Sequence, residues 1–179
     1  VVADFRRPDI VRGGQGAPLA PLVHALLFHQ DHHDTGVVNI GGMSNISWVS
    51  GSKSHPPQGF DTGPGNALMD AWIRHHQHQA YDHQGQWAMT GQLDTNLLSA
   101  LLSHPFFQQK GPRSTGHEDF HLAWLQSLLP TTIAPENVQR TLLELTAHSI
   151  ADAAQHQLPR PAQQLWVTGG GALNLALME

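Results

Sequence analysis

The sequence predicts a mixed fold of the α/β or α+β class, in which helices are layered over a sheet. Short apolar runs of strand length are bounded by glycine-rich turns, and longer runs with helical spacing follow them after residue 66. Hydrophobic residues make up 40% of the 179 residues, which is enough for a core. Charged residues make up only 13%, and this low value argues against a disordered chain.

The first part of the chain carries the strand signals. Residues 1–5 read as a short apolar strand, and residues 6–16 read as a polar loop that ends in glycines. Residues 18–28 have helical spacing, with one apolar side that comprises Leu19, Leu22, Val23, Leu26 and Leu27. Residues 37–40 and 46–49 are strands, and the glycines at 41 and 42 between them predict a hairpin.

Helices dominate the remainder. Amphipathic spacing and flanking prolines predict four of them, at residues 66–76, 94–104, 117–129 and 136–158. The aromatic side chains Phe120, Trp72 and Trp124 occur at helical spacing and are expected in the core. A buried strand at residues 165–168, a triple glycine and a further helix from residue 172 complete the pattern.

Composition excludes several classes of function. The net charge is −5 with nine basic residues, so neither nucleic acid nor an anionic membrane is an expected partner. Cysteine is absent, which excludes disulfides and thiolate metal sites. No apolar run reaches the roughly 18 residues that span a bilayer, and no signal peptide is visible, so the cytoplasm is the expected location. Both ends read as interrupted elements, so we expect an internal piece of a longer protein.

Residues 59–66, with the sequence GFDTGPGN, are the most informative segment. They place one carboxylate, Asp61, among three glycines and a proline just before a helix. Glycine lets the backbone approach a ligand closely, and the free N–H groups of a helix start attract anions. This combination is typical of a kinase site. The alternative is an ordinary helix-start turn that Asp61 or Thr62 caps.

Two further glycine turns follow the same plan, at residues 39–45 and 168–174. Neither matches a GxGxxG or GxxxxGK[ST] nucleotide motif. Three such turns in one chain indicate a cleft that binds phosphate or nucleotide, although each alone could serve tight packing. Asp4 ends a strand and Arg6 follows it, which favours a ligand contact at the strand end or else a surface ion pair.

Histidine is unusually frequent, with 14 copies. Two clusters could ligate a metal ion, since imidazole and carboxylate are good ligands. A solvated polar surface is the interpretation we favour, because adjacent helical residues point in different directions. The clusters comprise His29, Asp31, His32, His33 and Asp34 in the first, and His75, His76 and His78 in the second.

Seven segments together resemble the anhydro-N-acetylmuramic acid kinase family. They are VADFR at 2–6, GGQGAPL at 13–19, NIGG at 39–42 with Asn45, GFDTGPGN at 59–66, KGP at 110–112 with STG at 114–116, TLLELTA at 141–147, and GGGA at 169–172 with Asn174. Each segment is short, but their common order runs over nearly the whole chain.

The resemblance implies an actin-like fold of the sugar-kinase and heat-shock-ATPase type, in which two α/β domains close over ATP and a sugar. Residues 1–33 would end the first subdomain, and residues 34–179 would form most of the second. The implied reaction opens the 1,6-anhydro ring of anhydro-N-acetylmuramic acid and phosphorylates O6, giving the 6-phosphate and ADP in cell-wall recycling. ATP and Mg²⁺ are the implied cofactors.

The resemblance also implies residue roles. Asp61 would be the catalytic base. Gly41 and Gly42 would form a phosphate loop, and Gly169, Gly170, Gly171 and Asn174 would form the adenosine loop. Asp4, Arg6, Gly63 and Asn66 would contact the sugar, and no protein metal ligand is assigned.

The resemblance is incomplete, because the family's first phosphate loop and its C-terminal sugar contacts are missing from this sequence. We therefore expect the piece alone to lack kinase activity. The implied partners are the sugar and ATP, and a homodimer is a further possible assembly. Two alternatives stay open, namely a non-catalytic ATP-binding switch of the actin-like fold and a histidine-rich metal-binding module.

Overall fold

The computed structural model describes residues 7, 11–13, 20–52, 54–109 and 112–179. The strand expected at residues 1–5, with Asp4, and the neighbouring Arg6 lie outside these residues. Within them the fold is mixed α/β, as the sequence predicts, and contains a four-stranded sheet. No helix among them is both long enough and apolar enough to cross a membrane.

Four strands form the sheet in the order β3-β2-β1-β4. Their bounds are Thr35–Ile40 for β1, Ser44–Val49 for β2, Gln58–Gly63 for β3 and Gln164–Thr168 for β4. The expected β1–β2 hairpin is confirmed: the two strands are antiparallel, and β2 and β3 are also antiparallel. β4 lies parallel to β1, which requires the long crossover through the helical region.

The sheet is covered by one helix on one face and by the helical region on the other. The helices are α1 at Ala20–Phe28, α2 at Ala67–Gln77, α3 at Thr95–Leu102, α4 at Pro105–Gln108, α5 at Leu122–Leu128, α6 at Pro135–Asp152 and α7 at Leu175–Met178. α6 continues into a π-helical turn at Ala153–Gln157, and 3₁₀ turns occupy His83–Gly85, Ala88–Thr90 and Gly170–Leu173.

The main core lies among α2, α3, α5 and α6. Trp72 and Phe120 are buried there at 4% and 1% exposure, which confirms their expected place in the core, and Trp124 packs against it. A second cluster joins the sheet to the end of α6 and contains Val38, Ile46 and Phe60. Burial of these side chains supplies the hydrophobic free energy that holds β3 between two layers.

Helix α1 was predicted correctly, but its packed side was not. Leu22, Leu26 and Leu27 are 60%, 86% and 69% exposed, while Pro21 is the buried residue of this helix. Pro21 lies over Gly59, where an added Cβ would come within 2.6 Å of the proline ring, and His24 Nδ1 lies 2.8 Å from the hydroxyl of Ser47. Helical spacing finds an apolar stripe, but these contacts decide which side faces the sheet.

Two other predictions need correction. The 117–129 helix is shorter, because His121 caps its start by accepting a hydrogen bond from the Trp124 N–H. The strand at 165–168 exists but is not buried, since Leu165 and Trp166 are each 47% exposed at the edge of the sheet. The apolar residues of this edge strand therefore serve side-chain packing, such as the ring contact between Phe28 and Trp166, and do not indicate a central position in the sheet.

Candidate active site

Asp61 lies in strand β3 and not in a turn, which corrects the interpretation of residues 59–66. Helix α2 begins later, and its N-cap residue is Asn66, so neither Asp61 nor Thr62 caps it. A β-bulge shifts the register here: Ser44 pairs with Gly63, while Asn45 pairs with Asp61. The bulge places Thr62 as the extra residue, buried against the hydroxyl of Ser44.

The register lines up four polar side chains across the sheet. Asp61 on β3 pairs with Asn45 on β2, and Asn45 pairs with Asn39 on β1. Asn39 in turn pairs with Thr168 on β4. Directly paired residues point to the same face of a sheet. We call Asp61, Asn45, Asn39 and Thr168 the polar row. It comprises one residue from each strand, next to the glycine turns.

The polar row is half-buried rather than sealed, since each of its members is partly exposed. The Oδ1 atom of Asn45 is buried and has no hydrogen-bond partner among the described residues. An unpaired buried amide oxygen is costly and marks a place where a ligand or water donor would be stabilising. The sequence analysis named Asn45 only as part of a matching segment and assigned it no function.

A short segment runs along the free edge of β3 beside Asp61. The Asp61 N–H donates to the carbonyl of Arg113 at 3.0 Å, and Arg113 Nε donates back to the Asp61 carbonyl at 3.1 Å. The Asp61 carboxylate accepts two hydrogen bonds at Oδ2, from Ser114 Oγ at 3.1 Å and from the Thr115 N–H at 2.9 Å. The sequence pattern included these residues only as part of a matching segment and gave them no function.

Burial raises the pKa of the Asp61 carboxyl above its ordinary value. The hydrogen bonds from Thr115 and Ser114 and the positive charge of Arg113 lower the pKa and oppose that effect. A partly desolvated carboxylate with a raised pKa is a better proton acceptor than a fully hydrated one. The arrangement therefore suits a general base.

The three glycine turns meet around the end of β1. The Asn66 N–H donates to the Gly41 carbonyl at 2.8 Å, and the Ala67 N–H donates to the Gly42 carbonyl at 3.0 Å. Asn66 Nδ2 donates to the Ile40 carbonyl at 3.3 Å. A Cβ at Gly169 would lie 2.6 Å from that same carbonyl oxygen, so only glycine fits at its φ of +84°.

These bonds change one expectation. The first N–H groups of α2 are used by the hairpin carbonyls, so they are not the free anion cradle that the sequence suggested. The hairpin turn itself is open, because Gly42 is exposed and a Cβ there would meet only His117 Nε2, at 3.9 Å. Backbone at Gly42 is thus accessible to a ligand, whereas the N–H groups of Asn66 and Ala67 are not.

A cavity of about 680 Å³ opens beside these turns. Its walls are the start of α2, the loop that precedes the first 3₁₀ turn, and the segment after β4. They include Asn66, Met69, Asp70, Tyr81, Asp82, His83, Gln84, Gly170, Ala172, Leu173, Asn174 and Leu175. Its size falls in the range of small-ligand pockets. Asn66, Gly170 and Asn174, which the sequence singled out, line it together.

Asn174 does more than line the cavity. Its Oδ1 caps α7 by accepting from the Leu177 N–H at 3.2 Å, which leaves the amide NH₂ group as the donor that it could offer a ligand. Gly171 is buried against Ile40, where a Cβ would come within 2.2 Å of that side chain. Gly171 therefore serves close packing, and Gly170 is the more accessible of the two.

Asp70 is a cavity residue that the sequence did not single out. Burial, with a further contribution from the charge of Asp82, raises the pKa of its carboxyl to about 6, and Arg74 opposes the rise. Asp82 is itself buried and accepts from the N–H groups of Trp87 and Ala88, both at 2.9 Å. The helical position of Asp70 gave no signal, since its pKa depends on burial in the folded chain and on the charge of the distant Asp82.

The histidine clusters do not assemble a metal centre. No group of three or more histidine, aspartate or glutamate side chains in the described part of the chain could hold a metal ion. His29 Nδ1 is bonded to the Ser50 carbonyl at 3.0 Å, and its Nε2 to Asp31 at 3.1 Å. His76 stacks on Trp72 with ring centres 4.1 Å apart. The solvated-surface interpretation stays a prediction, and it does not extend to Asp34, which is buried.

The whole chain is similar to proteins of one known family. The family model for anhydro-N-acetylmuramic acid kinase matches residues 1–179. The protein named anhydro-N-acetylmuramic acid kinase in Pseudomonas syringae pv. tomato is 51% identical over 181 residues, which cover 100% of this chain and 49% of that protein. The proteins of that name in Saccharophagus degradans and Pasteurella multocida are 50% and 49% identical, over 99% of this chain and 48% and 47% of theirs.

The chain thus spans about half the length of the curated relatives that it matches. The matched segments include β3 with Asp61, the hairpin turn and the triple glycine, because the family model runs over every residue. The chain belongs to the anhydro-N-acetylmuramic acid kinase family.

Proposed function

We propose that the protein is an ATP-dependent kinase that hydrolytically opens the 1,6-anhydro ring of anhydro-N-acetylmuramic acid and phosphorylates O6. The observation that carries this proposal is the placement of Asp61, whose half-buried carboxylate stands in the polar row beside three converging glycine turns. Family membership supports the substrate, and the relatives' names supply it. The proposed products are N-acetylmuramic acid 6-phosphate and ADP, and the proposed setting of the reaction is cell-wall recycling in the cytoplasm.

The proposed chemistry follows from the base. Asp61 takes a proton from water as the water oxygen bonds to C1, on the opposite side from the departing O6, as in an inverting glycosidase. The C1–O6 bond breaks, and O6 attacks the γ-phosphorus of ATP, which releases ADP. Phosphoryl transfer needs alignment and charge stabilisation rather than covalent help from the protein. The partly desolvated setting of Asp61 fits the first of these steps.

The cavity beside Asn66 and Gly170 is the proposed place of the nucleoside, with Asn174 as a donor at its rim. The hairpin turn at Gly41 and Gly42, of which Gly42 is exposed, is the proposed contact of the phosphates. Gly63 and Asn66, with Asp4 and Arg6 outside the described residues, stay proposed sugar contacts. Asn45 joins this set, because it is partly exposed and pairs directly with Asp61 in the polar row.

The described residues do not form a dedicated metal cage. A kinase Mg²⁺ ion is commonly held by phosphate oxygens with one or two carboxylates, so we propose that the ion accompanies the nucleotide. The actin-like fold, the boundary at residue 33 and a homodimer stay predictions. An ATP-binding switch would need no base, and a metal module would need a ligand set; neither alternative has support from the described residues.

The test uses the full-length protein and a matched pair of variants. Asp61→Asn keeps the shape of the side chain but removes its basicity, and it is expected to lower turnover by about 10²–10⁴-fold. ATP affinity, measured by calorimetry, should stay within about twofold. Asp31→Asn is the control, since the Asp31 side chain is 72% exposed and lies outside the polar row.

Turnover is measured as ADP release in a coupled assay, with anhydro-N-acetylmuramic acid against ordinary hexoses. Wild-type activity in Asp61→Asn would remove Asp61 from the mechanism. Equal activity on hexoses would remove the proposed substrate. Tight one-to-one zinc binding in a titration would instead favour the metal-binding module.

A further inference from the structure

The two oxygens of the Asp61 carboxylate have different surroundings. Ser114 Oγ and the Thr115 N–H both donate to Oδ2, at 3.1 and 2.9 Å. None of the hydrogen bonds recorded for the described residues ends on Oδ1. One oxygen is therefore anchored, and the other is available to a ligand or to water. We call Ser114 and Thr115 the carboxylate clamp.

The clamp is held firmly from both sides. Thr115 Oγ1 donates to Asp119 Oδ2 at 2.7 Å, which fixes the residue that supplies the main-chain donor. Arg113 is only 4% exposed and binds the main chain of Asp61 twice, by accepting from its N–H and by donating from Nε to its carbonyl. Arg113 Nη1 also donates to the carbonyls of Phe106 and Gln109 at 3.3 and 3.0 Å. Its guanidinium lies 4.5 Å from the centre of the Phe106 ring.

This geometry reconciles two requirements of a general base. Partial burial disfavours the ionised form, yet the group must be ionised before it can accept a proton. Hydrogen bonds to the anion favour ionisation, but a bond to the accepting oxygen would block it. Because Ser114 and Thr115 both donate to Oδ2, they stabilise the negative charge of the Asp61 carboxylate and leave Oδ1 free of their hydrogen bonds.

We propose that Ser114 and Thr115 are positioning residues that anchor Oδ2 of Asp61 so that Oδ1 faces the attacking water. This inference rests on the proposed function, in which Asp61 is the base. The clamp lies about 50 residues further along the chain, on a loop between α4 and α5. It supplies orientation and charge stabilisation and takes no proton itself.

The test is the pH profile of kcat/KM for the full-length Ser114→Ala variant. Ser114 is exposed, so its truncation leaves the core intact. Loss of a donor to the anion raises the pKa of the base, so the acidic limb of the profile moves to higher pH. We expect activity relative to wild type to fall by about 5- to 10-fold on the acidic limb, consistent with the loss of one charge-assisted hydrogen bond. The loss should shrink on the alkaline plateau.

Two companion variants complete the design. Ser114→Thr retains the hydroxyl and should restore the wild-type profile. Ser127→Ala removes an exposed helical serine whose hydroxyl donates to the Trp124 carbonyl at 2.7 Å, and its profile should match wild type. A Ser114→Ala profile that superimposes on wild type, or one that falls equally at every pH, would overturn the proposal. Activity in Asp61→Asn would instead overturn the proposed function.

Discussion

Replacement of Gly65 by alanine tests how the glycine turns are held together. Gly65 has a φ of +47°, a conformation that costs an L-residue about 1–2 kcal/mol. An added Cβ would come within 2.5 Å of the Gly41 carbonyl oxygen and 2.9 Å of the Gly42 carbonyl oxygen. These are backbone atoms of the hairpin turn, so the turn must move away from the start of α2.

The magnitude follows from these two effects. Overpacking against rigid atoms costs about 1–3 kcal/mol, so the free energy of unfolding of Gly65→Ala should fall by about 2–5 kcal/mol in total. Urea unfolding of the full-length protein, followed by tryptophan fluorescence, measures the change. ATP affinity should fall as well, because the displaced hairpin turn carries the proposed phosphate contacts.

Two glycines separate the contributions. Gly13 has a φ of +87°, and no atom of the described residues lies within 4 Å of an added Cβ, so Gly13→Ala reports mainly the conformational cost, about 1–2 kcal/mol. Gly42→Ala has neither a positive φ nor a close contact, so its stability should match wild type within about 0.5 kcal/mol. A Gly65→Ala protein as stable as Gly13→Ala would refute the clash argument.

Two further outcomes concern buried charge. The raised pKa of Asp70, about 6 against 3.8, means that the native state binds more protons than the unfolded state between these values, so stability falls as pH rises through this window. Asp70→Asn should raise the free energy of unfolding by about 1–2 kcal/mol at pH 8, after allowance for solvent screening, and by less at pH 5; an equal gain at both pH values would contradict the titration. Arg113→Lys replaces the forked guanidinium that serves three carbonyls and should cost about 2–4 kcal/mol in thermal unfolding. Arg74→Lys, at an exposed site, is the control and should be neutral, and equal effects of the two lysine variants would contradict the assigned role.

Much of the fold could be predicted because local signals agree with tertiary packing. The hairpin is marked by two apolar strands around Gly41 and Gly42, and α2 by its amphipathic spacing. The packed side of α1 was predicted wrongly, since its apolar stripe is exposed and the His24–Ser47 contact, which lies on the packed side, is not visible in a sequence. The strand character of residues 58–63 was hidden for another reason: two glycines in six residues, followed by Pro64 and Gly65, suggest a turn, but pairing with β2 overrides propensity.

In the candidate site, too, local sequence signals predict some features and tertiary contacts decide the others. Asp61 stands out because it is the single carboxylate of residues 59–66, a segment with three glycines that directly precedes a helix. Its partners Ser114 and Thr115 lie more than 50 residues away, and nothing in their spacing connects them with β3. Asp70 was missed because its raised pKa is a property of the folded cavity. Long-range contacts decide these features, and sequence patterns report mainly local ones.

The polar row has a consequence for how this protein can tolerate insertions and deletions. Side chains alternate between the two faces of a strand, so adding or removing one residue inside β1, β2 or β3 would turn that strand's contribution to the opposite face. Such a change in β2 or β3 would put Asp61 and Asn45 on opposite faces of the sheet even though both residues were still encoded. Length variation among natural sequences is therefore expected in the connection at residues 50–57, outside the strands, and not within the paired segments.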